Sequence, residues 1–120
     1  MQLLTQRLVL REFRLADADT VFRYRLAITL ADRVIGTCGV RKESPDATDA
    51  ELGCDLDPEF WTHGYAREAC RAIVAFGFET LGLERILART TTANHRAIRL
   101  AEELGFRRVG LGLYELVVNP

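Results

Sequence analysis

Apolar residues in this chain recur at two spacings, and the alternation between them predicts a mixed α/β arrangement. Leu8 and Leu10 alternate with Val9 and Phe13, the period of a strand from Leu8 to Arg14. Ala16-Asp17-Ala18-Asp19 then opens a short helix, its carboxylates suited to the first turn and Val21 and Phe22 as its apolar contacts. Leu26, Ile28 and Leu30 alternate with Arg25, Ala27 and Thr29, so a second strand begins almost directly after Phe22. Ala31-Asp32-Arg33 reads as a hairpin turn into a third strand, Val34 to Val40. Glycines at 36 and 39 mark bulges or close backbone approach in that strand. After a polar loop from Glu43 to Thr48, a fourth strand runs from Glu51 to Leu56.

The period then changes. Apolar or small residues fall at 66, 69, 70, 73, 74, 77, 78 and 81, steps of three and four that place them on one face of a helix from Tyr65 to about Leu81, with Gly82 as its stop. Arg85 to Thr90, with the apolar run Ile86-Leu87-Ala88, reads as a buried fifth strand. A strand, helix, strand succession implies a parallel pair joined by a right-handed crossover. A second helix from about Asn94 to Leu104 turns Ala97, Ala101 and Leu104 inward and stops at Gly105. Phe106–Val109 and Leu113–Val118 close the chain as an antiparallel pair.

The stretch between the fourth strand and the long helix carries the candidate chemistry. Trp61-Thr62-His63-Gly64-Tyr65-Ala66 joins a strand to a helix start. Unpaired N–H groups and the positive end of the helix dipole make such a start an anion site, and the small residues Gly64 and Ala66 leave the backbone approachable.

This loop resembles the acyl-CoA pyrophosphate loop of the GNAT N-acetyltransferase superfamily, Gln/Arg-x-x-Gly-x-Gly/Ala, with Trp61 at the first position and Gly64 and Ala66 matching. The run Leu56-Asp57-Pro58-Glu59-Phe60-Trp61 through Glu68-Ala69 resembles the subgroup related to ribosomal-protein N-terminal (alanine) acetyltransferases. Two further blocks follow the same pattern, Thr5 to Arg11 and Asn94 to Arg99 with Leu104-Gly105-Phe106. The resemblance implies one acetyltransferase domain over residues 1–120, with a mostly antiparallel central sheet, splayed fourth and fifth strands and flanking helices. Its first helical region is shortened, naturally or because residues are absent from the sequence.

It also implies a transfer of acetyl from acetyl-CoA to a primary amine on a protein N-terminus or a small molecule. Backbone groups around Leu56 and Asp57 would pair with the pantetheine arm, and the amides of Gly64, Tyr65 and Ala66 would take the pyrophosphate. Trp61 would help cover the cofactor, unless it is core. Arg67 adds a phosphate contact or is a solvated helix charge; His63, where the family often has Lys or Arg, contacts phosphate or is a surface histidine. Asn94 meets the pantetheine amides, or caps its helix, or does both. Glu51 and Asp55 share one face of the fourth strand and are the candidate general bases, Glu12 a weaker third; the alternative is solvent-facing strand carboxylates. Where the family carries an acidic tyrosine or serine this chain has Ala101 and Ala97, so Tyr114 or water is the candidate proton donor.

Composition narrows the picture further. A hydrophobic share of 48% with 28% charged residues is that of an ordinary soluble domain, and the net charge of −1 gives no reason to expect a nucleic-acid partner. Cys38, Cys54 and Cys70 lack metal-ligand spacing and read as buried thiols in a reducing compartment. No metal is expected. No apolar run is long enough to span a membrane and no leader pattern opens the chain, so a cytoplasmic location is expected. A homodimer would complete the acceptor groove that the shortened region leaves open. The main alternative is a non-catalytic acyl-CoA-binding module; a generic α/β domain holding another phosphorylated ligand is the third reading.

Overall fold

The computed structural model describes residues 1–12 and 23–118. Among the described residues eight strands form one sheet: β1 (Gln2–Leu4), β2 (Val9–Glu12), β3 (Arg23–Leu30), β4 (Arg33–Arg41), β5 (Asp49–Leu56), β6 (Arg85–Arg89), β7 (Arg107–Gly110) and β8 (Leu113–Val117). Their spatial order is β1-β2-β3-β4-β5-β6-β8-β7, and every neighbouring pair is antiparallel except β5 and β6. The crossover between those two is helix α1 (Tyr65–Glu79); a second helix, α2 (His95–Glu103), links β6 to β7. The mixed, mostly antiparallel sheet read from the sequence is therefore the fold observed.

Two details differ from that reading. Strand β1 was not expected; only Leu3 of its three residues is half-buried, too short a pattern to announce a strand. Helix α1 ends at Glu79 rather than near Leu81, with Thr80 as cap and Gly82 at φ +68° in the turn beyond. The short helix expected near Ala16–Asp19 lies outside the described residues, as do Phe13, Arg14, Val21 and Phe22. Strand β3 does open at Arg23, directly after that segment. The hairpin at Ala31 and Asp32 forms with φ of 48° and 66°, a left-handed pair that matches the twist of the strands it joins.

The core lies on one face of the sheet. Leu26 and Cys38 sit in one row across β3 and β4, Val40 in the next, and Ile86 farther along, all turned toward Ala69, Ile73 and Phe76 of α1. Ala101 of α2, Phe106 and Tyr114 join the same cluster, so both helices cover this face. Gly77 lies within α1 because a Cβ there would meet Leu83 at 3.0 Å and Ile86 at 3.2 Å, so the helix packs against these side chains with no room to spare. Cys38 and Cys70 are buried free thiols. Burial pushes the Cys38 thiol up, and a hydrogen bond to Cys54 together with burial does the same to Cys70, so neither is poised as a nucleophile. The opposite face carries the alternate residues: Arg25, Gly39 and Gly53 in one row, Arg41, Glu51, Leu87 and Glu115 in the next.

Gly39 explains how tightly β3 and β4 are joined. A Cβ on it would fall 2.2 Å from the Tyr24 carbonyl oxygen, backbone that cannot rotate away. We expect Gly39→Val to cost about 1–3 kcal/mol of stability in urea denaturation, the scale of overpacking; wild-type stability would show that the strands have slack.

The amino-terminal turn is fastened to α1 by Glu68. Its carboxylate accepts the Thr5 hydroxyl, the Arg7 backbone N–H at 2.8 Å and the Arg7 Nε at 2.8 Å, with its side chain 16% exposed. Burial would raise its pKa, but the hydrogen bonds from Thr5 and Arg7 and the Arg7 charge outweigh it and hold the carboxyl below the ordinary glutamate value. A lowered folded-state pKa means stability that is present above the unfolded value of about 4.3 and lost as pH falls through the folded one. Glu68→Gln should therefore lower unfolding free energy by about 1–3 kcal/mol at pH 7. The gap between variant and wild type should close below pH ~4; a gap independent of pH would refute the ionic account.

Candidate active site

Strands β5 and β6 run side by side from Asp49/Arg85 only as far as Leu52/Ala88, although β5 continues to Leu56. Beyond that row the two part. Which backbone groups face the gap follows from the alternation of an antiparallel ladder. Asp57 donates its N–H to the Ile35 carbonyl at 2.8 Å, so the odd-numbered residues of β5 point their backbone groups at β4. The even-numbered ones point away, toward β6. Cys54 N–H and C=O and Leu56 N–H thus border the gap with no strand opposite.

The Leu56 carbonyl is different. The Trp61 indole Nε1–H donates to it at 2.8 Å. Of the two residues expected beside a pantetheine arm, Asp57 gives its N–H to β4 and its side chain accepts from Glu59 N–H to cap the short turn Pro58–Phe60, whereas Leu56 gives its carbonyl to Trp61 and keeps its N–H on the gap. The backbone N–H and C=O of Cys54 lie on the same free edge as the Leu56 N–H.

At the far end of this gap α1 begins. Gly64 is its N-cap at φ +81°, with no side chain capping the turn, and Thr62 is also left-handed at φ +70°. A β-branched residue avoids that region, so the loop stores strain where it turns its amides outward. Successive N–H groups in such turns, added to the free amides of the first helical turn, form a concave anion cradle. Two guanidiniums frame it: a Cβ on Gly64 would lie 3.4 Å from Arg7 Nη2 and 3.5 Å from Arg67 Nη2. Arg7 donates to the His63 carbonyl at 3.1 Å and lies 4.4 Å from the centre of the Tyr65 ring. The cleft of about 520 Å³ along this side of α1 is lined by Thr5, Arg7, Gly64, Arg67 and Arg71 among others. The cradle and the framing cations fit a diphosphate.

The remaining candidates take defined positions. Arg67 Nη1 pairs with Glu103 of α2 at 2.7 Å, so it is neither freely solvated nor wholly available to phosphate. His63 is exposed, its ring 5.6 Å from that of Tyr65. Asn94 caps α2, its side-chain oxygen accepting from Ala97 N–H at 3.1 Å, while its amide nitrogen stays available to donate. The Arg96 guanidinium stacks on the Trp61 ring at 3.2 Å, spanning from α2 to the end of β5.

Glu51 and Asp55 do share the face away from the helices. Glu51 is held by two guanidiniums, Arg89 Nε at 2.8 Å and Arg41 Nη2 at 3.2 Å. Asp55 is 83% exposed and pairs with Arg25 at 3.2 Å. Glu12 pairs with the amino terminus. Tyr114 lies on the other face, 6% exposed and opposite Ala88, in the very row where the strands part. It forms no hydrogen bond among the described residues and packs within the hydrophobic cluster. Ala101 is buried in the core. No cluster of metal-ligating side chains occurs, and no helix is long and apolar enough to cross a membrane, among the described residues.

Residue Arg7 escaped the sequence reading. Its block was recognised, but a guanidinium meeting a loop 56 residues away leaves no local signal.

Comparison with known proteins agrees with this geometry. The family model described as an acetyltransferase (GNAT) domain matches residues 23–107. The uncharacterized N-acetyltransferase p20 of Bacillus licheniformis is 36% identical over 89 residues, which is 74% of this chain and 50% of that protein. The chain thus spans about half the length of this curated relative. The crystal structure of a GNAT-family acetyltransferase from Bacillus anthracis superposes with a TM-score of 0.83 over 98% of both chains at 21% identity. A spermidine N-acetyltransferase from Vibrio cholerae, solved with CoA and spermine, superposes with a TM-score of 0.71 over 79% of this chain and 65% of that one, also at 21% identity. With a family model covering most of its length and the parted strands and glycine-capped helix in place, this chain belongs to the GNAT acetyltransferase family.

Proposed function

We propose that the protein moves an acetyl group from acetyl-CoA to a primary amine. The observation that carries this is the gap between β5 and β6, bordered by unpartnered backbone groups and leading to the amide cradle at Gly64. An extended arm with amide groups fits the first and a diphosphate fits the second, and acyl-CoA joins the two. The relative p20 and the CoA-bound neighbour support the same reading.

In the transfer the amine nitrogen bonds to the thioester carbon, the C–S bond breaks, and the amine loses a proton while the thiolate leaves. An N–H on the free edge of β5 is suited to the carbonyl oxygen as its charge develops. Glu51 or Asp55 takes the amine proton, directly or through water. Tyr114, at the branching row, is the candidate donor to sulfur from the helix-bearing side. Arg7 and Arg67 steady the diphosphate, and Asn94 contributes its free amide nitrogen.

One observation favours a second reading, a non-catalytic acyl-CoA-binding module. Ala101 stands where the family has its acidic tyrosine, and both oxygens of Glu51 are already paired with guanidiniums, Oε2 with Arg41 and Oε1 with Arg89. Calorimetric titration with CoA and ATP, followed by thiol-release assays over a panel of amines and peptides, separates the two. CoA binding with turnover supports transfer; CoA binding without it supports the module; ATP binding without CoA binding overturns both.

Gly64→Trp should abolish CoA binding by filling the cradle, and unchanged affinity in the same titration would refute the placement. Glu51→Gln should lower kcat by about 100-fold with little change in CoA affinity, the scale of general-base catalysis. Wild-type kcat across pH 5–9 would remove Glu51 from the mechanism.

A further inference from the structure

Resting on the acetyltransferase reading, we infer that the acceptor is an amine that carries a carboxylate of its own, an amino acid-sized zwitterion, and that Arg25 and Arg41 select it. The site is a recess of about 250 Å³ on the sheet face away from both helices, lined by Arg25, Gly39, Arg41, Glu51 and Gly53 among others. Clefts for drug-sized ligands run to about 300–1,000 Å³, so this one suits a smaller molecule. Its floor is bare backbone: Gly39 and Gly53 stand opposite each other on neighbouring strands, and a Cβ on Gly53 would have nothing within 4 Å.

Charge decides the class of occupant. The lining holds two guanidiniums and one carboxylate, with Arg89 adding a third guanidinium on Glu51 and the exposed Asp55 pairing with Arg25. Glu51 is the residue an ammonium group would meet, but its Oε2 is held by Arg41 at 3.2 Å. An incoming amine that takes this oxygen leaves Arg41, beside Arg25, with only the exposed Glu43 carboxylate 3.7 Å away. A plain amine or polyamine adds its own charge to that pair, which is repulsive in a recess partly shielded from water. A zwitterion exchanges partners instead, its ammonium on Glu51 and its carboxylate on Arg41. The fork of an arginine suits a carboxylate. Donors remain for it: Arg25 uses Nε and Nη2 on Thr37 and Asp55, and Arg41 uses Nη2 on Glu51, leaving both Nη1 groups without a hydrogen bond among the described residues. Both side chains are about half exposed, at 55% and 46%, and so are reachable.

The test pairs amino acids with their decarboxylated amines and with spermidine, on CoA-saturated protein. Amide shifts of Gly39 and Gly53 in nitrogen-15 correlation spectra read binding, and thiol release from acetyl-CoA reads transfer. We expect at least one amino acid to shift both glycine amides and to be acetylated with a kcat/KM at least tenfold above its decarboxylated partner. Arg41→Gln should raise the amino acid KM about tenfold, leave the KM for acetyl-CoA unchanged, and erase the preference over the decarboxylated amine. Arg25→Gln should weaken binding in the same direction. Equal or better use of decarboxylated amines or spermidine overturns the inference while leaving the transferase reading intact. Glycine amides that no amino acid shifts also overturn it. Binding by amino acids in preference to their amines without thiol release upholds the recess and overturns the transferase reading.

Discussion

The separation of β5 from β6 is the constraint on which the rest of this molecule turns. Two hydrogen bonds hold the walls apart from either side. Asp57 N–H ties the end of β5 to Ile35 on β4, and Thr90 N–H ties the end of β6 to the Gly112 carbonyl next to β8. Gly112 makes that second tie possible, since a Cβ there would fall 2.0 Å from the Thr90 carbonyl oxygen. Each half of the sheet therefore has its own allegiance past the branching row. Helix α1, packed through Ala69, Ile73 and Phe76 on the shared core, spans the division and starts where the opening ends.

That arrangement leaves a short length of unsatisfied backbone at the edge of β5. Unpaired strand edges are ordinarily covered or disrupted because they attract other chains. Here the exposed length amounts to the groups of Cys54 and the Leu56 N–H, bounded by paired backbone on one side and the Trp61 indole on the other. It is long enough to seat an extended ligand arm and too short to recruit a foreign strand securely. The same economy governs the glycine-capped start of α1, whose amides remain open because no side chain folds back over them.

Much of this was legible from residue order. The helix period from Ala66 onward, the apolar run at Ile86 and the turn glycines are local signals, and they placed the crossover and the start of its helix correctly. The resemblance of the loop added the expectation of parted strands, which the register between Asp49 and Leu52 bears out. What escaped is non-local. Arg7, Glu103 and Glu68 meet partners 36 to 63 residues distant, and no periodicity encodes which charge finds which. Strand parity assigned Glu51 and Asp55 to one face, but not the two guanidiniums that hold Glu51. Nor does residue order tell which backbone groups the fold uses for itself, as it does the Leu56 carbonyl and the Asp57 N–H.

The stack of Arg96 on Trp61 has an optical consequence. Trp61 is the single tryptophan of the chain, and its indole touches both the end of β5 and the start of α2. Indole emission responds to neighbouring charge and hydration, so the intrinsic fluorescence of the protein originates almost wholly at the mouth of the opening. Whatever enters there has a built-in reporter, with no label to attach and no second indole to subtract.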